Sequence, residues 1–136
     1  MLKDILIVDG YNVIFAWQSL KKLANESLEH ARMELRNQLL NYGKFKGYEV
    51  ILVFDGKYTK SIASIEEITK GFIEVYTDDG ETADSFIERE VFLRQGKYTN
   101  VYVVTSDGAE QNQILGSGGL RIPARELQND MRLAKQ

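Results

Sequence analysis

Three short apolar runs, each closed by Asp-Gly, constrain this chain more than anything else in it. Ile5-Leu6-Ile7-Val8 runs into Asp9-Gly10, and Val50-Ile51-Leu52-Val53-Phe54 runs into Asp55-Gly56. Val101-Tyr102-Val103-Val104 passes through Thr105-Ser106 into Asp107-Gly108. Short β-branched runs bounded by turn signals read as strands covered on both faces. Open parallel sheets bind ligands just beyond the carboxyl ends of their strands. Three carboxylates delivered to that edge repel one another unless a proton or a cation lies between them. The pattern therefore predicts a hard-metal site and, with it, an enzyme.

The order of elements extends this to an α/β fold. Strands are predicted at 3–8, 49–54, 72–76 and 100–105, with a short one near 120–122. Helices are predicted at about 26–45, 81–95 and 108–115, and from about 123 onward. Alternating strands and helices imply a parallel sheet with helices on both faces. Leu28, Ala31, Leu35, Leu39 and Tyr42 form one buried stripe along the first long helix, which Gly43 and Gly47 help to stop. The residues between Asp9 and this helix read as a connection. The polar stretch 56–70, with Lys57, Lys60 and Lys70, reads either as a loop near the site or as a solvated connector. The last helix starts at Pro123 and reaches Gln136 without a cap, so either it is cut there or the native chain runs on.

With 136 residues, 43% of them hydrophobic and a single proline, the simplest reading is one ordered domain spanning 1–136. The chain has no cysteine, which excludes disulfides, a thiolate nucleophile and zinc-thiolate sites. That composition suits a reducing cytoplasm. The start, Met1-Leu2-Lys3-Asp4, does not read as a signal peptide, and no apolar stretch is long enough for a bilayer span. The expectation is a cytoplasmic protein with no membrane partner. The net charge of -3 argues against a protein that simply coats nucleic acid. It argues less against a nuclease, whose catalytic acids themselves lower the charge. His30 is the single histidine and falls in a polar helical stretch, which argues against histidine chemistry.

Taken singly, each carboxylate has a structural explanation beside the functional one. Asp9-Gly10 is a common turn pair, yet Asp9 ends a wholly apolar strand. Asn12 sits one helical turn later, placed to share a metal-bound water or a phosphate oxygen, or to cap a helix. Asp84 falls in the first turn of a helix, where acids meet the dipole favourably. It also lies in line with Ile87 and Val91, so the spacing turns it toward the sheet. Glu81 and Glu88 flank it as further ligands or as solvated acids. Asp107, with Ser106 before it and Gln111 one turn on, fits either a site or a helix cap. Asp55 ends a strand one place from the centre and reads as an accessory acid. Acids and an amide without histidine or cysteine make an oxygen-only shell suited to Mg²⁺ or Mn²⁺. Such ions activate water and stabilise a leaving oxygen in phosphodiester hydrolysis.

The segments 5–14, 53–56, 81–88 and 103–111, in that order, resemble the NYN domain, and most closely its YacP-like branch. The resemblance implies a PIN-like three-layer sandwich, with a mainly parallel central sheet flanked by helices. It implies an endoribonuclease dependent on Mg²⁺ or Mn²⁺, with Asp9, Asp84 and Asp107 as metal ligands and Asn12 as the signature amide. It also implies messenger RNA as substrate and the ribosome as partner. Many PIN nucleases carry a further acid two residues after the last Asp, where this chain has Ala109. RNA contact would fall to Lys57, Lys60, Lys70, Arg89, Arg94 and Lys97, with Tyr11 and Trp17 as stacking surfaces. The competing readings are a non-catalytic RNA- or ribosome-binding module of the same fold, a haloacid-dehalogenase-type phosphatase and a receiver-like domain. The phosphatase signature needs a second Asp where Tyr11 stands, and a receiver needs paired early acids that Asp4 does not supply.

Overall fold

The protein is described from a computed structural model, over residues 3–56, 63–96, 99–105 and 119–134. Six strands form one sheet: β1 (Ile5–Asp9), β2 (Glu49–Phe54), β3 (Ser64–Thr69), β4 (Phe72–Tyr76), β5 (Val101–Thr105) and β6 (Leu120–Pro123). The helices are α1 (Gly10–Ala16), α2 (Gln18–Glu26), α3 (Leu28–Lys46), α4 (Ala83–Arg94) and α5 (Ala124–Ala134). The strand order is β3-β4-β2-β1-β5-β6, and every neighbouring pair is parallel except the β3–β4 edge hairpin. This is the predicted α/β architecture with β1 at the centre.

Side-chain alternation divides the core into two layers. Leu6, Val8, Leu52, Phe54 and Val104 face α1, α2, α3 and α5. Ile5, Ile7, Ile51, Val53, Val101 and Val103 face α4, which buries Ala83, Phe86, Ile87 and Val91 against them. Each of the larger α4 side chains contributes about 1.5–3 kcal/mol by leaving water. The stripe predicted for the first long helix is the buried face of α3, with Leu28 only partly covered. Gly47 ends α3 with φ 75°, the left-handed cap geometry that glycine adopts without strain.

Two regions depart from the sequence reading. Residues 10–26, expected as a connection, form α1 and α2, joined at Trp17. Their periodicity is hidden because the buried positions, Tyr11, Val13, Ile14, Trp17 and Leu20, straddle the break between two short helices. Part of the stretch 56–70 is the edge strand β3, nearly all of it exposed. It lacks an apolar face because it lies at the sheet margin, where one neighbour supplies its hydrogen bonds. Pro123 ends β6 instead of starting the last helix. The predicted helix 108–115 falls outside the described residues. No helix among the described residues is long and apolar enough to cross a membrane.

Candidate functional site

β1 is followed by chain that pairs on its β2 side, whereas α4 carries the chain across to β5 on the other side. The carboxyl ends of β1 and β5 therefore flank the switch point of the sheet, where open α/β folds hold their ligands. Asp9 ends β1 and is 4% exposed. It pairs in register with Val53, so alternation places it on the α4 side of the sheet. Asp55 follows Phe54 on that same side, and its Oδ2 accepts a hydrogen bond from the Ala83 amide at 3.3 Å. That contact brings the N-terminus of α4 onto the carboxyl edge, and Asp84, half-buried, occupies its first turn. Thr105, fully buried, closes β5 on the same edge.

The Asn12 side-chain amide donates to Asp9 Oδ2 at 2.6 Å, one turn along α1, which fixes that oxygen. Asp9 stands at the N-cap position of α1 without bonding the helix amides through its side chain. Its burial therefore has to be met by other groups, since an isolated buried carboxylate is costly. Asp107, Ser106 and Gln111 lie outside the described residues. Among those described, no group of three or more acids or histidines gathers closely enough to hold a metal. Asp9, Asp55 and Asp84 offer only oxygen donors, the ligand type that a hard cation takes.

A basic residue that the sequence reading missed stands at this edge. Arg32 donates through Nη1 to the Tyr11 hydroxyl at 3.3 Å and is also hydrogen-bonded to the Tyr76 side chain. Burial raises the Tyr11 phenol pKa above its usual value, and the Arg32 charge partly offsets this. The signal was present: α3 runs back toward β2, so its first turns return to the carboxyl edge. Arg32 sits beside Ala31 of the buried stripe. One turn later Arg36 grips the buried Glu74 of β4 with two bonds, at 2.9 and 2.7 Å.

Several predicted contacts take other roles. The Tyr11 ring is 4% exposed and packs on Phe54 with centroids 5.0 Å apart, so it is core and not an open stacking platform. Trp17 is buried too, and its indole N–H donates to the Ala124 carbonyl at 2.8 Å. Glu81 is paired with the exposed Arg89, which engages both partners elsewhere than on a ligand. Glu88 is half-buried one turn below Asp84. Arg94 pairs with Glu90 at the far end of α4. Lys70 lies in the β3–β4 turn, where Gly71 accepts from the Val50 amide, on the amino edge away from the acids. Lys57, Lys60 and Lys97 lie outside the described residues.

Residues 6–136 match the YacP-like NYN domain. The chain belongs to that family. It is 42% identical over 125 residues to a protein described as uncharacterized protein YacP of Bacillus subtilis, covering 91% of this chain and 72% of that one. The fold superposes on the crystal structure of Rae1 (YacP) from Bacillus subtilis with a TM-score of 0.81 and 37% identity, across 97% of this chain and 75% of that one. A point variant of Rae1 gives 0.83 at the same identity, with 76% of its length covered. NYN domains have a nuclease-type fold, so membership supports a nuclease-like, RNA-related function in outline.

Proposed function

We propose that this YacP-like NYN domain is an endoribonuclease that depends on Mg²⁺ or Mn²⁺, acting in the cytoplasm on messenger RNA at the ribosome. The observation that carries the reading is Asp9: a carboxylate 4% exposed at the end of the central strand, at the switch point, on the side of α4. Asp9, Asp84 and Asp107 would hold the ion, which supplies an activated water and charge for the leaving oxygen. Asn12 holds one Asp9 oxygen in place. Asp55 anchors the amino end of α4 through the Ala83 amide and so sets where Asp84 sits. Arg32, between two phenols at the same edge, is a fixed positive charge available to a phosphate oxygen.

The test compares RNA cleavage by wild type, Asp9→Asn and Asp84→Asn, on naked RNA and on translating ribosomes, with and without a chelator. Losing one such electrostatic anchor should cost roughly 3 kcal/mol of barrier lowering, about a hundredfold in rate. Undiminished cleavage in both variants sinks the mechanism. Cleavage that appears only with ribosomes supports the partner, and equal cleavage of naked RNA opposes it. RNA binding without cleavage under every condition would leave a non-catalytic module of the same fold.

A further inference from the structure

An open groove of about 780 Å³ runs between the end of α1, the start of α2, and the β6–α5 junction. Among the described residues lining it, Lys22, Arg121, Arg125 and Arg132 are charged, and all four are positive. No acid lines it within that set, although the whole chain carries a net charge of -3. Lys22, Arg125 and Arg132 are exposed and make no ion pair with any described residue, whereas Arg36, Lys46, Arg89 and Arg94 each do. The remaining polar lining is uncharged: Gln18, Ser19 and Gln128. Cations gathered in one open trough repel one another and concentrate anions there. Three of the four are arginines, whose planar fork matches phosphate with two bonds.

One helix, α1, links the groove to Asp9. α1 begins directly after Asp9 and ends at Ala16, one wall of the groove. Its seven residues span about 10 Å at the helical rise. Pro123 on the other wall pairs in register with Thr105, so the groove opens at the carboxyl edge of the sheet. The Trp17 indole bonded to Ala124 ties its two sides together. Next to Ala16 in sequence stands Phe15, 46% exposed, stacked with Tyr11 one turn back along α1 at a centroid distance of 6.4 Å. A cationic track beside an exposed aromatic ring is the arrangement with which proteins hold single strands, phosphates on the cations and a base on the ring.

We infer that the α1–α2/β6–α5 groove is the track for single-stranded RNA leading to the carboxyl-edge site, with Lys22, Arg121, Arg125 and Arg132 on its phosphates and Phe15 under a base. This rests on the reading of the protein as RNA-directed and assigns the substrate's path on it.

The experiment measures binding of a labelled single-stranded oligoribonucleotide by the Asp9→Asn protein, which removes cleavage from the readout, across a salt series. Arg125→Glu with Arg132→Glu should weaken binding tenfold or more and flatten the salt dependence by about one unit of slope per lost phosphate contact. Phe15→Ala should weaken binding with the salt slope kept. Lys3→Glu with Lys44→Glu makes the same change in net charge at exposed positions away from the groove and should bind as the parent does. Circular dichroism of each variant separates lost contact from lost fold. Equal loss in the groove pair and the distant pair would overturn the inference, as would unchanged affinity in the groove pair or no RNA binding at all. Competition by polyglutamate as strong as by RNA would also overturn it in favour of an acidic protein partner. Groove-dependent binding by a protein that cleaves nothing would uphold the track and sink the nuclease reading. Cleavage indifferent to the groove would do the reverse.

Discussion

Gly10 and Gly56 stand after their aspartates because other parts of the chain come too close for a side chain. A Cβ on Gly10 would lie 2.3 Å from the Phe54 ring, and one on Gly56 would lie 2.0 Å from the Thr77 carbonyl oxygen. The second obstacle is backbone, in the same turn where the Gly56 amide donates to Thr77 Oγ1 at 3.0 Å. Gly10→Ala should therefore cost about 1–3 kcal/mol by overpacking, and Gly56→Ala at least as much. Urea unfolding of the two variants measures this, and a wild-type midpoint in either would refute the packing argument. The dipeptide that reads in sequence as a turn thus also marks where Phe54 and Thr77 close over the ends of β1 and β2. Glu74 gives a second case at this scale. Its carboxylate is buried on β4 and is answered by Arg36, whose side chain keeps partial access to water. Arg36→Met leaves that charge uncompensated and should destabilise by roughly 3 kcal/mol, while adding Glu74→Leu should recover most of the loss. A double variant as unstable as the single one would mean that the pair itself, and not the orphaned charge, sets the cost.

Among the elements, α1 and α2 decide the shape of the site, and they are what the sequence concealed. The five strands with apolar runs announce themselves, as does the single stripe of α3, because each buries one regular set of positions. α1 and α2 are short, and Trp17 breaks the phase between them with an extended backbone at φ -91° and ψ 121°. β3 is concealed for a different reason: an exposed edge strand needs no apolar pattern. Asp9, Asn12 and Asp55 were legible as strand-end and first-turn residues. Arg32 and the basic groove were not, because residues from α2, α3, β6 and α5 meet there only through tertiary packing. Trp17 is the peg that joins these pieces. Trp17→Phe keeps most of the ring and removes the donor, so the Ala124 carbonyl keeps only its partner within α5 and the junction loses its tie. The expected cost is about 0.5–1.5 kcal/mol. It should show as faster amide exchange at the start of α5 than in α4. Uniform loosening of both helices would mean that the hydrogen bond does not hold that junction.

For the whole molecule, the buried phenols tie stability to alkaline pH. Tyr11, Tyr42, Tyr48 and Tyr76 all have pKa values raised above the usual one for tyrosine, in each case chiefly by burial. Tyr42 also donates its hydroxyl to the Asp130 carboxylate, which further disfavours its ionised form. Above about pH 10 the unfolded chain has released these protons and the native one has not, so folding takes up protons there. Stability from the raised values is fully present below that pH and is lost as pH climbs through the folded-state values. The urea midpoint should thus fall as pH rises beyond about 10, with native tyrosinate absorbance appearing later than in the urea-unfolded chain. Tyr42→Phe removes one of the four and should flatten the decline. Tyrosinate appearing together in the folded and unfolded protein would show these phenols to be solvated, and with them the face of the sheet that carries Tyr11, Arg32 and Tyr76 to the edge of the site.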